Sequence, residues 1–189
     1  MHLARLAEIQ MGYPFRSRLE RDPGGGVTVI QMKDIDEDNV LQPEGAVRVS
    51  LPTAKSHHLL RAGDLLFRSR GQSNGAAQVP EGIGTAVLSA PMLLIRPNGA
   101  LPEYLCWFIN SLAAQLQLRT LAAGTSVRMI SAEALKALDV PVPPMATQRR
   151  IAQLAGLVEE EQSLLGRITA ARHRLTTHIL MQHAQKATS

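Results

Sequence analysis

The sequence predicts an α+β protein, a β-rich body with packed helices followed by a long C-terminal coiled-coil helix. Three observations carry this reading. Short strand-like runs alternate with glycine- and proline-bearing turn clusters between residues 27 and 96. From residue 101 the apolar spacing becomes helical. Beyond the proline-rich "DVPVPP", the stretch from Gln148 to His183 contains no proline.

The strand-like runs are "GVTVIQM", "GAVRVSL", "DLLFRSR", "TAVLS" and "MLLIRP". Between them lie "QPEG", "RAGD", "GQSNG" and "PEGIG", in which glycine supplies positive φ and proline fixes its own. Regular short strands with regular turns predict a compact, largely antiparallel β body. In "LPEYLCWFINSLAAQLQLRTLAAG", Pro102 stands near a helix start, and Leu105, Phe108, Ile109, Leu112 and Leu116 share one face of an amphipathic helix. A short helix follows in "SAEALKAL", with Ser131 as N-cap and Glu133 in the first turn. It ends before Pro141, and the next prolines impose an extended spacer because each residue before a proline is pushed from the α region.

A continuous helix over residues 148–183 would reach roughly 54 Å at 1.5 Å per residue. Spacings of three and four link Ile151, Leu154, Val158, Leu165, Ile168, Leu175 and Ile179, with Glu161 and Arg172 interrupting the seam. One isolated helix cannot hide that face, and the sequence holds no second long helical pattern to cover it. Self-association is the economical expectation, and a helix folded back on its own body is the alternative.

No run approaches the roughly 20 uncharged apolar residues of a membrane span, and "MHLARLAEIQ" lacks a secretory h-region. A soluble, cytoplasmic protein is expected. The lone Cys106 lies in the apolar "EYLCWFIN", which excludes a disulfide framework and reads as core. The formal charge is +4, and the basic residues are mostly arginine, whose planar fork suits phosphates and guanine edges. High genomic GC content would enrich arginine as well.

Catalytic constellations are missing. The glycines of "RDPGGGVTV" precede a strand-like run, opposite to a dinucleotide fingerprint. "VPPM" lacks both the acid or amide and the aromatic of the amino-methyltransferase loop. His173, His178 and His183 stand five apart, which spreads them around a helix and away from a shared metal. "KDIDEDNV" lacks the glycine of a calcium loop and reads as a solvated turn. No base for Cys106 and no partner for His57 or His58 can be placed.

Three clusters could contact DNA. In "GDLLFRSRGQSNG", a strand over residues 64–70 would set Arg68 and Arg70 on one face beside a loop carrying Gln72, Ser73 and Asn74, amide and hydroxyl groups suited to adenine edges and phosphates. In "GYPFRSR", Tyr13 and Phe15 accompany Arg16 and Arg18; in "GTSVRMIS", Thr125 and Ser126 accompany Arg128. Solvated arginines, anchoring aromatics and ordinary loop hydroxyls explain the same residues equally well.

The order of the segments "LAEIQMGYPFRSR", "VIQMKDID", "LRAGDLLFRSRG", "LPEYLCWFINS" and "GTSVRMISAEALKALDVPVPPMATQRRIAQL" resembles one repeat of the specificity (S) subunit of Type I restriction-modification systems. Its last element is similar to the family's Glu-Gln-x-x-Ile-Ala signature at the entry to the conserved helix, with Thr147 in place of the usual acid. The resemblance covers essentially the whole chain. It implies a twisted target-recognition domain over residues 1–143 and a long conserved helix over 144–189 for dimerisation and methyltransferase docking.

The chain would then be a half-length subunit, pairing with a second copy through antiparallel helices to read a bipartite target on double-stranded DNA. The resemblance implies no catalysis and no cofactor on this chain. Separate Type I modification subunits bind S-adenosylmethionine and methylate adenine, and a restriction subunit cuts. Two identical chains form an isologous pair, which predicts inverted half-sites around an unread spacer. The alternatives are a recognition module serving another phage-defence methyltransferase, and a coiled-coil adaptor or inhibitor that docks on modification subunits without reading DNA.

Overall fold

The computed structural model describes residues 1–15, 19, 22, 24, 26–51, 55–71, 74–121 and 129–186, the side chain of Lys186 excepted. The chain divides into two compact units, Met1–Arg149 and Arg150–Ser189.

In the first unit, strands β1 (Ala7–Met11), β2 (Val27–Ile30), β3 (Val47–Val49), β4 (Leu65–Phe67), β5 (Ala76–Gln78), β6 (Ala86–Leu88) and β7 (Leu93–Pro97) form two sheets. The larger has the order β1-β7-β4-β5, and the smaller β3-β2-β6. All pairings in the larger sheet are antiparallel. In the smaller, β2 pairs antiparallel with β3 and parallel with β6, so the mostly antiparallel expectation holds with one exception.

Leu66, Ala77 and Leu94 of the larger sheet share a buried cluster with Ile30, Ala86 and Leu88 of the smaller. The opposite face of the smaller sheet carries Val29, Val49 and Val87 in a second cluster with Phe15, Leu19 and Leu59 against it. Leu65, Leu66 and Phe67 are all fully buried, so β4 is covered on both faces. Each such apolar side chain contributes about 1.5–3 kcal/mol.

Helix α1 (Pro102–Asn110) packs on β5, and Asn110 closes that edge strand: its Oδ1 accepts from the Ala76 amide at 2.8 Å and its Nδ2 donates to the Ala76 carbonyl at 2.9 Å. A side-chain amide thus stands in for a neighbouring strand. The expected single helix breaks at Ser111, whose extended backbone (φ −67°, ψ 150°) ends α1 and starts α2 (Leu112–Leu121). Its Oγ accepts from the Ala114 amide, and Gln115 donates to the Ile109 carbonyl at 2.8 Å. The break rotates the second half: Leu112 and Leu116 are exposed where burial was expected, and Ala114 and Leu118 are buried instead. Cys106 is half-buried, its thiol 3.4 Å from the Ala76 carbonyl.

Helix α3 (Ala132–Lys136) has the predicted cap, Ser131 Oγ accepting from the Ala134 amide. After it, Tyr104 donates to the Pro141 carbonyl at 2.7 Å. Helix α4 (Met145–Lys186) starts inside this unit, where buried Gln148 accepts from the Leu101 amide and donates to the Pro143 carbonyl, both at 2.9 Å. That glutamine ties the start of α1 to the proline spacer, a physical reason for an amide at its position in "TQRRIAQL".

An ion pair joins half-buried Arg96 of β7 to buried Asp64. Nε and Nη2 of Arg96 reach the two carboxylate oxygens at 2.8 and 2.6 Å, and Nη2 also donates to the Leu59 carbonyl. The hydrogen bond to Asp64 raises the Arg96 pKa above its ordinary value.

In the second unit α4 is continuous, and its 42 residues correspond to about 63 Å of rise. From Gly156 to Gln185 every described side chain is exposed. Among the described residues no helix is long and apolar enough to cross a membrane.

Candidate nucleic-acid interface

The described end of one candidate segment meets another. The Ile130 amide donates to the Ser69 carbonyl at 2.9 Å, and Nε of exposed Arg70 donates to Met129 Sδ at 3.0 Å, so the end of "GTSVRMIS" lies against "FRSRG". Asn74 donates to the Arg68 carbonyl at 2.9 Å and its own carbonyl accepts from Gln115, which fixes the far side of the same loop on α2. Gln72, Ser73, Thr125, Ser126 and Arg128 lie outside the described residues.

The expected pair of outward arginines is not formed. Strand β4 ends at Phe67, but the Arg68 amide still donates to the Gly75 carbonyl in the β4–β5 register, so the alternation reaches Arg68 and sets it on the side of buried Leu66, facing inward. Arg68 is buried, donating to the Asp36 carbonyl at 3.1 Å and to Asn39 Oδ1, while its Nε has no partner among the described residues. A guanidinium held this way braces the loop. Gly75 makes room for the brace, because a Cβ there would fall 1.9 Å from Asn39 Oδ1. Arg70 is the arginine of this pair that stands exposed for a ligand.

The third cluster sits beside the segment Ser89–Met92, which also touches the first. The Tyr13 amide donates to the Leu88 carbonyl, the Tyr13 carbonyl accepts from the Ala90 amide, and Ser69 Oγ donates to the Pro91 carbonyl at 2.6 Å. The Tyr13 ring packs on Phe15 at 4.8 Å and edge-on against His58 at 5.1 Å, and His58 lies 4.0 Å from His57. Burial, then the neighbouring His57 and Lys55, lower the His58 pKa below 6.5. Arg16 and Arg18 lie outside the described residues.

A depression of about 300 Å³ runs between Gln31–Lys33 and Ser89–Met92. Exposed Lys33 and half-buried Gln31 were not singled out from sequence, where only their place before an acidic run was visible. The acidic run itself folds as a turn: Asp36 accepts from the Asp38 and Val40 amides and from Gln42 Nε2. Among the described residues no group of His, Cys, Asp and Glu could hold a metal ion. The depression at Ser89–Met92 thus offers the hydroxyl, amide and ammonium groups of Ser89, Gln31 and Lys33, a set suited to phosphates and base edges.

On α4, Leu154, Val158, Leu165, Ile168, Leu175 and Ile179 are between 43% and 64% exposed and Ile151 is half-buried, so the predicted seam is uncovered within this chain. Leu157 and Leu164, 63% and 46% exposed, widen the stripe beyond the single row that the three-and-four spacing marks.

Neither a family model nor a curated protein matches the sequence. Solved structures do. The HsdS subunit from Thermoanaerobacter tengcongensis superposes with a TM-score of 0.66 at 20% identity, over 88% of this chain and 38% of that one. A chain from a structure concerning complex assembly and conformational transition of the type I R-M system gives 0.68 at 21% identity, over 89% and 40%. The chain thus spans about two-fifths of the length of each. Over that length it has the fold of the Type I specificity subunits that the order of its sequence segments resembles.

Proposed function

We propose that this chain is a non-catalytic specificity subunit of a Type I restriction-modification system, reading DNA and directing adenine methylation or cleavage by partner subunits. The fold shared with the HsdS subunit over nearly nine-tenths of the chain is the observation that carries the reading. The first unit supplies the DNA reader, with Arg70, Asn74 and Tyr13 as described contact candidates and Arg16, Arg18, Gln72, Ser73, Thr125, Ser126 and Arg128 as further ones. The helix α4 supplies the contact to a second copy and to modification subunits, on which S-adenosylmethionine is bound. Six or seven aliphatic side chains per helix, at roughly 1.5–3 kcal/mol each when buried, are enough to hold a pair of helices after the cost of association.

The test is adenine methylation mapped by single-molecule sequencing in cells expressing a Type I modification subunit, with and without this chain. One interrupted palindromic motif that depends on this chain is the expected result. An asymmetric bipartite motif would replace the homodimer by pairing with a different subunit. No chain-dependent motif, beside an active methyltransferase, would overturn DNA reading and favour the adaptor.

A further inference from the structure

The exposed seam of α4 has two charged interruptions, and their positions are complementary. In a heptad frame, Ile151, Val158, Leu165, Arg172 and Ile179 occupy a positions, and Leu154, Glu161, Ile168, Leu175 and Gln182 occupy d positions. Glu161 and Arg172 are exposed, and neither has an ion pair in this chain among the described residues. Three glutamates, Glu159 to Glu161, lie in the N-terminal half of the seam, and Arg167, Arg172 and Arg174 lie in the C-terminal half.

Resting on the homodimer in the proposed function, we propose that Glu161 of each chain pairs with Arg172 of a second copy, and that these two pairs fix an antiparallel orientation and a single register. A two-fold axis passing between Gly166 and Arg167 sets Leu165 against Ile168 of the second copy, Val158 against Leu175, and Leu154 against Ile179. Each layer joins an a position to a d position, and the same axis brings Glu161 onto Arg172 twice. The axis falls within one residue of the midpoint of Met145–Lys186, so almost the whole helix is used.

The alternatives each misplace charge. A parallel, in-register pair sets Glu161 on Glu161 and Arg172 on Arg172 within the seam. An antiparallel slip of one heptad places Glu161 on Leu165 or Ile179, and Arg172 on Leu154 or Ile168. A charge against an aliphatic layer is desolvated without a partner, and like charges repel. The polar interruptions lower affinity relative to an all-aliphatic seam, and in return they exclude these competitors.

The experiment uses the full chain and sedimentation equilibrium. Wild type should dimerise. E161R and R172E should each bind themselves at least about 100-fold more weakly, since each creates two like-charge layers. Their equimolar mixture, and the double variant E161R/R172E, should return to wild-type affinity. Orientation is read by disulfide formation on a C106S background. L154C mixed with I179C should cross-link, and L154C alone should not, because the two copies of residue 154 lie about 37 Å apart along the antiparallel pair. Single variants as tight as wild type, or ready cross-linking of L154C with itself, would overturn the register and leave the homodimer standing. A monomeric wild-type chain would overturn the homodimer as well.

Discussion

In Met1–Arg149 Leu65, Leu66, Phe67, Ile95 and Leu105 retain none of their accessible surface, whereas in Arg150–Ser189 Leu154, Leu165 and Leu175 retain more than half of theirs. The same residue type thus serves two purposes. In the first unit the sheets and helices bury apolar surface within one chain, and polar groups caught inside are tied down, as Asp64, Arg68 and Gln148 are. In the second unit the helix α4 carries an apolar stripe that stays exposed, and on the proposed function a second molecule buries it. The first unit should therefore answer to changes in its own contacts and the second to the concentration of its partner.

The sharpest way to break that contrast is at Asp64. Asp64→Ala removes a buried carboxylate and leaves half-buried Arg96 without its partner, and should cost about 3 kcal/mol. Trp107, the only tryptophan, lies in α1, so its fluorescence in urea reports the first unit. Self-association should be unchanged wherever the first unit remains folded.

Leu165→Ala should do the reverse. On the homodimer reading it opens a gap beside Ile168 of the second copy at two symmetry-related layers, weakening self-association by about 2–4 kcal/mol. The Trp107 transition should move by less than about 0.5 kcal/mol, as for an exposed surface position. A large shift in that transition would show that α4 is covered by its own chain.

Gln148→Ala tests where the division lies. Its loss orphans the Leu101 amide and the Pro143 carbonyl and should cost the first unit about 1–3 kcal/mol. Gln148→Glu keeps the acceptor and should recover part of that loss. No effect of either would make the start of α4 independent of the first unit.

Much of this division was legible in the sequence. A period of three and four over a proline-free stretch needs no tertiary information, so the row from Ile151 to Ile179 was readable, though not Leu157 and Leu164 beside it. Five strands were marked by β-branched and aliphatic runs between turns. Strands β1 and β5 were not: "AEIQM" alternates apolar and polar residues but lies before the turn-punctuated region 27–96 and carries only one β-branched residue, and "AAQ" is a poor strand former that pairs because β4 and Asn110 satisfy its backbone. The helix break at Ser111 was hidden because serine and the following apolar residues fit a continuous helix as well as two.

The candidate nucleic-acid surface was harder to read. Residue chemistry nominated three clusters, but the contact of residues 69–70 with 129–130, and of Tyr13 with Leu88–Ala90, joins positions far apart in sequence. Arg68 and Arg70 show the difference most plainly, since identical side chains two residues apart have opposite surroundings. Arg68→Ala should reduce the stability of the first unit by about 1–3 kcal/mol through the loss of its bonds to Asp36 and Asn39. Arg70→Ala should leave stability within about 0.5 kcal/mol and reduce DNA affinity. A guanine contact would show as about 1–3 kcal/mol with one relaxed base position, and a phosphate contact as a salt slope smaller by about one. Unchanged DNA binding would remove Arg70 from the interface.

The smallest effect concerns His58, which tests whether the Tyr13 side of the surface belongs with the Arg70 side. Burial together with His57 and Lys55 disfavours its protonated form, so its folded pKa lies below 6.5. The sign follows: the neutral imidazole's contribution to stability is fully present above pH 6.5 and is lost as pH falls through the folded value. An NMR titration of the His58 ring should give that lowered midpoint, and His57→Ala should raise it by removing a neighbouring cation. Adding target DNA should raise it further if phosphates lie over Lys55, His57 and His58, because a phosphate favours the imidazolium. A midpoint that ignores DNA while Arg70→Ala weakens binding would confine the reader to the Arg70 side and return Tyr13 to a role in packing.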